Sequence, residues 1–222
     1  MARPRIACLA WGSLLWDPRT LPMAGRFRPD GPDLPIEFSR VSVDGRVTLV
    51  IDSSADAIRT WWVPLDVGSL DEAVMGLGIR EKIAPAMRSA QVGRLCRHDP
   101  EPPAPSAIVH TIADWLRKRP LDAVVWTALP PRGPDGGPGR PDFACLLGHL
   151  ESLRGAARTR AEEYIRRAPG TVRTPHRRGF ERALGWTPDR GKDSLWVAPS
   201  GRVSDRVSFR EAAANRGEGG ST

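Results

Sequence analysis

The chain has 222 residues, 40% of them apolar and spread along its length, and a net charge of +7. That length fits one large domain, or one domain with a helical extension, and can bury a sizeable core; no stretch approaches the roughly 18 uninterrupted apolar residues of a membrane span. The charge suits an acidic partner such as nucleic acid, yet lysine occurs only at 82, 118 and 192 while arginine is everywhere beside Ala, Gly and Pro. That is the signature of GC-rich coding, so nucleic acid is the less favoured partner.

The first half reads mostly as strand. Residues 4–11 form a first strand, with an apolar run from Ile6 to Trp11 that breaks at Gly12-Ser13. Residues 17–35 carry five prolines and form an irregular connection. Residues 36–43 alternate apolar and polar, as a half-buried strand does, and Asp44-Gly45 signals a hairpin into residues 46–51. Residues 60–65 form a further strand. Residues 69–83 read as a helix, with Ser69 as N-cap, Asp71 and Glu72 in the first turn, and a stripe of Leu70, Val74 and Leu77. Gly76 and Gly78 weaken it by roughly 1 kcal/mol each against alanine.

The second half reads mostly as helix. Residues 106–118 place Val109, Ile112, Trp115 and Leu116 on one side, and residues 123–129 add one strand. A Pro/Gly loop at 130–141 has the composition of a mobile lid. Phe143, Leu146, Leu147, Leu150 and Leu153 have helical spacing, stopped by Gly155. A helix over about 156–168 follows, then one started by Thr174-Pro175 and stopped by Gly185. Residues 194–198 form a last short strand, and 215–222 a disordered tail. Residues 1–104 are thus expected as a core, 105–200 as a mainly helical extension and 201–222 as a tail. Three widely spaced cysteines, Cys8, Cys96 and Cys145, point to buried, reduced thiols. With no separable apolar leader, the expected compartment is the cytoplasm.

A few residues can carry chemistry. The turn after the first strand can aim the backbone N–H groups of Gly12, Ser13 and Leu14, with the Ser13 hydroxyl, at an anion or a polarised carbonyl oxygen. Ser13 lies in no Gly-x-Ser-x-Gly elbow and has no histidine in triad order, so it reads as a binding hydroxyl. Glu81 follows Leu77 by four residues, which extends the apolar stripe with a carboxylate fit for proton transfer. Alternation puts Glu37, Ser39 and Val41 on one strand face, so Glu37 is an auxiliary acid if that face lines an interior. Arg40 can bind a carboxylate bidentately. Trp11, with Trp16, Trp61 and Trp62, can wall a pocket. The single close Cys/His pair, Cys96 and His98, has no second pair at zinc spacing. Neither a P-loop nor a dinucleotide fingerprint occurs, so neither a metal nor a cofactor is expected.

Trp11-Gly12-Ser13-Leu14, continued by Trp16-Asp17-Pro18, resembles the glycine-serine signature loop of the gamma-glutamylcyclotransferase-like family, which includes the ChaC proteins. That family usually has Tyr-Gly-Ser-Leu, so the aromatic differs. Arg80-Glu81 matches the ChaC form of the family's glutamate helix, with Lys82 where other members have glycine. The resemblance covers roughly residues 4–90. It implies an α+β fold, a small mixed β-barrel, here with a helical C-terminal extension. It also implies an enzyme in which the free α-amine of a gamma-glutamyl group attacks its own γ-carbonyl. The products are 5-oxoproline and an amine or amino acid, with Glu81 as general base and acid. The substrate is a small gamma-glutamyl compound, and the helical half covers the pocket, binds a partner or forms a homodimer surface. The rival readings are a non-catalytic small-molecule binding protein on the same fold and a basic nucleic-acid-binding protein.

Overall fold

A strand with apolar residues at every position must be covered on both faces. Ile6–Ala10 (β1) is such a strand and is buried throughout. In the computed structural model, which describes residues 3–99 and 106–189, β1 is central in a four-stranded sheet. Trp61–Pro64 (β5) pairs with it antiparallel and Ala123–Thr127 (β7) parallel. Val92–Cys96 (β6) completes the sheet by antiparallel pairing with β7.

Successive side chains of a strand point to opposite faces, and here that alternation sorts residues between two cores. Ala7 and Leu9 of β1, Val124 and Trp126 of β7, and Trp62 of β5 enter one core. Ile6, Cys8 and Ala10, with Val125 and Val63, enter the other. The second core is closed by Leu70–Arg80 (α1), through Ala73, Val74 and Leu77. The first is closed by a three-stranded sheet of order β3-β2-β4, built from Asp33–Val41 (β2), Val47–Ile51 (β3) and Ala57–Arg59 (β4), and by the later helices.

The short Arg88–Gln91 (α2) leads into β6. Ala107–Arg117 (α3), Phe143–Ser152 (α4), Gly155–Arg167 (α5) and Pro175–Leu184 (α6) bring Ile112, Leu146, Leu150, Ile165 and Phe180 to the first core, each essentially buried. The architecture is therefore α+β, with two sheets and six α-helices among the described residues. No helix of the described residues is long and apolar enough to cross a membrane.

The sheets meet at two margins. On one side β4 and β5 follow each other through Thr60, and the chain before β2 pairs along both: Arg28 bridges Trp62, Gly31 N–H donates to Thr60 O, and Asp33 pairs with Arg59. On the other side the segment after β7 runs beside β2. Arg132 forms an isolated parallel bridge to Arg40, Arg132 N–H donates to Ser39 O at 3.0 Å, and Val41 N–H donates to Arg132 O at 2.8 Å.

Several expectations are corrected here. The part after residue 104, expected as a helical extension packed on the core in the same domain, also supplies a core strand, because β7 lies between β1 and β6. The helix read over 69–83 ends at Arg80, where Lys82 turns into the left-handed region at φ 58°. It runs through Gly78 because Arg88 packs there: a Cβ at Gly78 would stand 2.8 Å from Arg88 Cδ. Gly155, expected to stop α4, instead opens α5, while α4 ends at Ser152 with Leu153 as its C-cap. The strands β4 and β6 carry no clear alternation and were not anticipated. The loop at 130–141 is tied down by the Arg132 bridge and by an ion pair from Arg140 to Asp52 at 2.7 Å. Cys8 is buried, but Cys145 is exposed. The strand expected over 194–198 and the tail over 215–222 lie outside the described residues.

Candidate active site

The C-terminal end of β1 and the C-terminal end of α1 open onto the same cleft, about 710 Å³ in volume. Trp11, Gly12, Ser13 and Leu14 line it from the first, and Arg80 and Glu81 from the second. After β1 the chain makes a single 3-10 turn over Ser13–Leu15, closed by Leu15 N–H to Gly12 O at 3.0 Å and Asp17 N–H to Ser13 O at 2.8 Å. The N–H groups that open such a turn have no acceptor within it.

Arg80 joins the two segments. Its side chain is buried at the last turn of α1 and donates in three directions. Nη1 reaches Glu81 Oε1 at 2.7 Å, Nη2 reaches Ser13 Oγ at 3.1 Å, and Nη2 and Nε reach Asp17 O at 2.6 and 3.2 Å. Glu81 is the C-cap residue of α1, with 17% of its side chain exposed. It is thus not an isolated buried acid. One carboxylate oxygen faces a guanidinium, and Oε2 accepts no hydrogen bond from the described residues.

Lys82 completes the end of the helix. Ile83 N–H donates to Gly78 O at 2.8 Å and Lys82 N–H to Ile79 O at 3.1 Å, the paired bonds of a Schellman motif. The residue between cap and exit in that motif is left-handed, which favours glycine; here it is a lysine on the cleft wall.

Tyr164 is a functional candidate that the sequence reading missed. It reaches the cleft from α5, and its hydroxyl accepts Leu49 N–H at 3.4 Å. A Cβ on Gly12 would stand 2.6 Å from that hydroxyl, so glycine at 12 is what lets the ring approach. Burial pushes the Tyr164 hydroxyl pKa up, and the Glu81 charge adds to the rise. Burial likewise raises Cys8 in β1, again with a contribution from Glu81. The available signal was that Tyr164 is the only tyrosine of the chain, at helical spacing with Ala161, Ile165 and Ala168.

The tryptophans divide. Trp11 lines the cleft, and its Nε1 donates to Leu49 O at 3.3 Å. With Tyr164 it satisfies both backbone groups of Leu49 on the edge strand β3, where no neighbouring strand does so. Trp16 packs edge-on against Tyr164, with ring centroids 5.3 Å apart. Trp62 packs edge-on against Trp115 in the core, away from the cleft, and Trp61 also does not line it.

Arg40 lines the cleft and donates from Nη1 to Pro130 O at 2.6 Å. Glu37 does not line it. A bulge falls between Phe38 and Arg40, and both faces of β2 are buried before it. Glu37 is 1% exposed, accepting Phe38 N–H at 2.7 Å and His176 N–H at 3.3 Å. His176 is the second residue of α6, after the Thr174 cap and Pro175. Glu37 therefore places its charge at a helix N-terminus, where an anion is favourable. That contact, not a ligand, accounts for its burial.

Among the described residues no group of three or more His, Cys, Asp or Glu side chains is arranged to hold a metal ion. No family model matches this chain, and no curated protein matches it.

Proposed function

We propose that the cleft is the active site of a gamma-glutamylcyclotransferase-like enzyme, on a small mixed barrel to which the two joined sheets are suited. The observation that carries this reading is Arg80. One guanidinium bonds both Ser13 of the glycine-serine turn and the Glu81 carboxylate, so the two motifs that resemble the family share a cleft.

The chemistry is intramolecular. The α-amine nitrogen forms a bond to the γ-carbonyl carbon, and the bond from that carbon to the leaving nitrogen breaks. Closing a five-membered ring needs little covalent help, because the reacting groups are already held together. The α-ammonium nitrogen gives up two protons in becoming the ring amide N–H, and the departing nitrogen takes up two in leaving as an ammonium. Glu81 Oε2, which accepts no hydrogen bond among the described residues, takes a proton from the attacking nitrogen and hands it to the departing one. Backbone N–H groups at Gly12, Ser13 and Leu14, with the Ser13 hydroxyl, cradle the developing oxyanion or the substrate carboxylate. Arg80 holds Glu81 and the turn in mutual register, and Arg40 offers a fork to a carboxylate.

The test is 5-oxoproline release from a panel of gamma-glutamyl amines, amino acids and peptides. Glu81→Gln, which keeps the shape and removes the base, is expected to lower kcat about 100-fold or more while the protein stays folded. Turnover unchanged in that variant removes Glu81 from the mechanism. No product from any member of the panel overturns the enzyme reading.

A further inference from the structure

The cationic side chains of the cleft are of two kinds. Arg80 is matched by Glu81, Arg46 by Asp44 at 2.8 Å, and Arg19 by Asp17 at 2.9 Å. Arg40, Arg132 and Lys82 also line the cleft, and none of the three has an ion pair among the described residues. The backbones of Arg40 and Arg132 are nonetheless held beside each other. The bridge between Arg40 and Arg132 fixes the two backbones in register, and the bond from Arg40 Nη1 to Pro130 O lays one guanidinium along the other's segment. On its far side the Arg132 guanidinium is covered by the loop: a Cβ on Gly136 would stand 2.8 Å from Arg132 Nη2.

Two partly buried arginines on bridged backbone positions within one cleft repel each other, and each has lost part of its hydration. Burial lowers the Arg40 pKa, and the charge of Arg132 lowers it further. The backbone of β2 makes its ladder whatever the side chain at 40, and the bond to Pro130 O uses one of the five donors of the Arg40 guanidinium. An anion between the two forks relieves both strains, and a dianion does so most fully because each fork can take two oxygens.

We infer that Arg40 and Arg132 form a subsite for a dianionic group, a phosphate monoester or a dicarboxylate, on the leaving-amine portion of the substrate. This rests on the cyclotransferase reading of the cleft for its placement on the leaving group, but the anion subsite itself does not depend on turnover. A compound whose leaving amine ends in a neutral group leaves both guanidiniums unmatched.

Two measurements test it, at constant ionic strength. In the first, phenyl phosphate and glutarate are titrated into the full chain by calorimetry, with phenol as the neutral control. Both anions are expected to bind and phenol not to; Arg132→Gln is expected to weaken them about tenfold or more, the loss of charge-assisted hydrogen bonds. Arg132→Lys, which keeps the charge without the fork, is expected to fall between, and melting curves confirm that both variants are folded. In the second, 5-oxoproline release is compared for gamma-glutamyl-ethanolamine, its phosphate ester and gamma-glutamyl-glutamate. The dianionic compounds are expected to have kcat/KM at least about tenfold above the neutral one, a ratio that collapses towards one in Arg132→Gln. Preference for only one dianionic compound identifies which source the subsite serves. If neither anion binds and all three compounds turn over equally, the subsite is overturned and the enzyme reading stands. If the anions bind in an Arg132-dependent way but no compound is cyclised, the enzyme reading is overturned and the anion subsite stands.

Discussion

At the scale of single residues, the strongest constraints lie where the two cleft segments make close approaches. Lys82 is held at φ 58°, a conformation that costs a non-glycine residue roughly 1–2 kcal/mol. Lys82→Gly removes that strain, offset by the roughly 0.5–1 kcal/mol of extra entropy glycine loses on folding. A net gain of about 0.5–1 kcal/mol in urea unfolding is expected, and a loss of stability would mean that the lysine side chain contributes more than its backbone strain. Gly12 makes the complementary case. The Cβ of Gly12→Ala would meet Tyr164 Oη at 2.6 Å but Cζ only at 3.6 Å. The substitution is expected to cost about 1–3 kcal/mol. The same substitution made in a Tyr164→Phe background should cost clearly less, because the clashing atom is gone; strictly additive effects in that double-mutant cycle would contradict the contact.

At the scale of elements, legibility followed burial pattern. β1 was readable because its apolar run is continuous, and α6 because Thr174, Pro175 and Gly185 mark both ends with local chemistry. The register of β2 was not. Alternation predicted a lined face and an open face, but α6 covers one side of Glu37 and the bulge at Phe38/Arg40 resets the pattern. β4 was hidden because it is three residues long with none buried, and β6 because buried and exposed residues mix along it without period. Of the candidate site, the turn and Glu81 were legible as local motifs. Tyr164 and Arg132 were not, because only the tertiary fold carries them to the cleft. The loop at 130–141 was read as mobile from composition, yet it is fastened through a side chain. Arg140 pairs with Asp52, whose carboxylate also accepts from Ser39 Oγ and Ser54 Oγ, both at 2.6 Å. Burial pushes the Asp52 pKa up, but those hydrogen bonds and the Arg140 charge outweigh it and hold it below the ordinary carboxylate value. A depressed folded pKa means that the unfolded chain binds the proton more readily. The contribution of this group is then complete above its unfolded pKa of about 3.9 and fades as pH falls through the lower folded value. Melting temperature is therefore expected to drop below about pH 4, and Asp52→Asn should reduce that acid sensitivity while costing about 1–3 kcal/mol at neutral pH.

At the scale of the whole molecule, the two halves of the sequence are not two units of structure. β7 supplies the parallel partner of β1, in the register Ile6 to Ala123 and Cys8 to Val125, and among the described residues β6 has β7 as its only neighbour in the sheet. Val124 and Val125 are fully buried on opposite faces, one in each core. Removing the chain after residue 104 would therefore open both cores, strip β6 of its pairing and expose one edge of β1. It would also remove Tyr164 from above Gly12 and leave Leu49 N–H without its acceptor. The charges that define the cleft would be divided as well, since Glu81 and Arg40 lie before the cut and Arg132 after it. A fragment of residues 1–104 is thus expected to show no cooperative urea transition and no dispersed amide spectrum, although it carries every motif that resembles the cyclotransferase family. A chain ending at 189 is expected to unfold in one cooperative transition. A folded 1–104 fragment would show that the family-like portion is self-sufficient and that β7 is an addition to it. An unfolded one would mean that the cleft arises only when the helical half returns a strand to the centre of the first sheet.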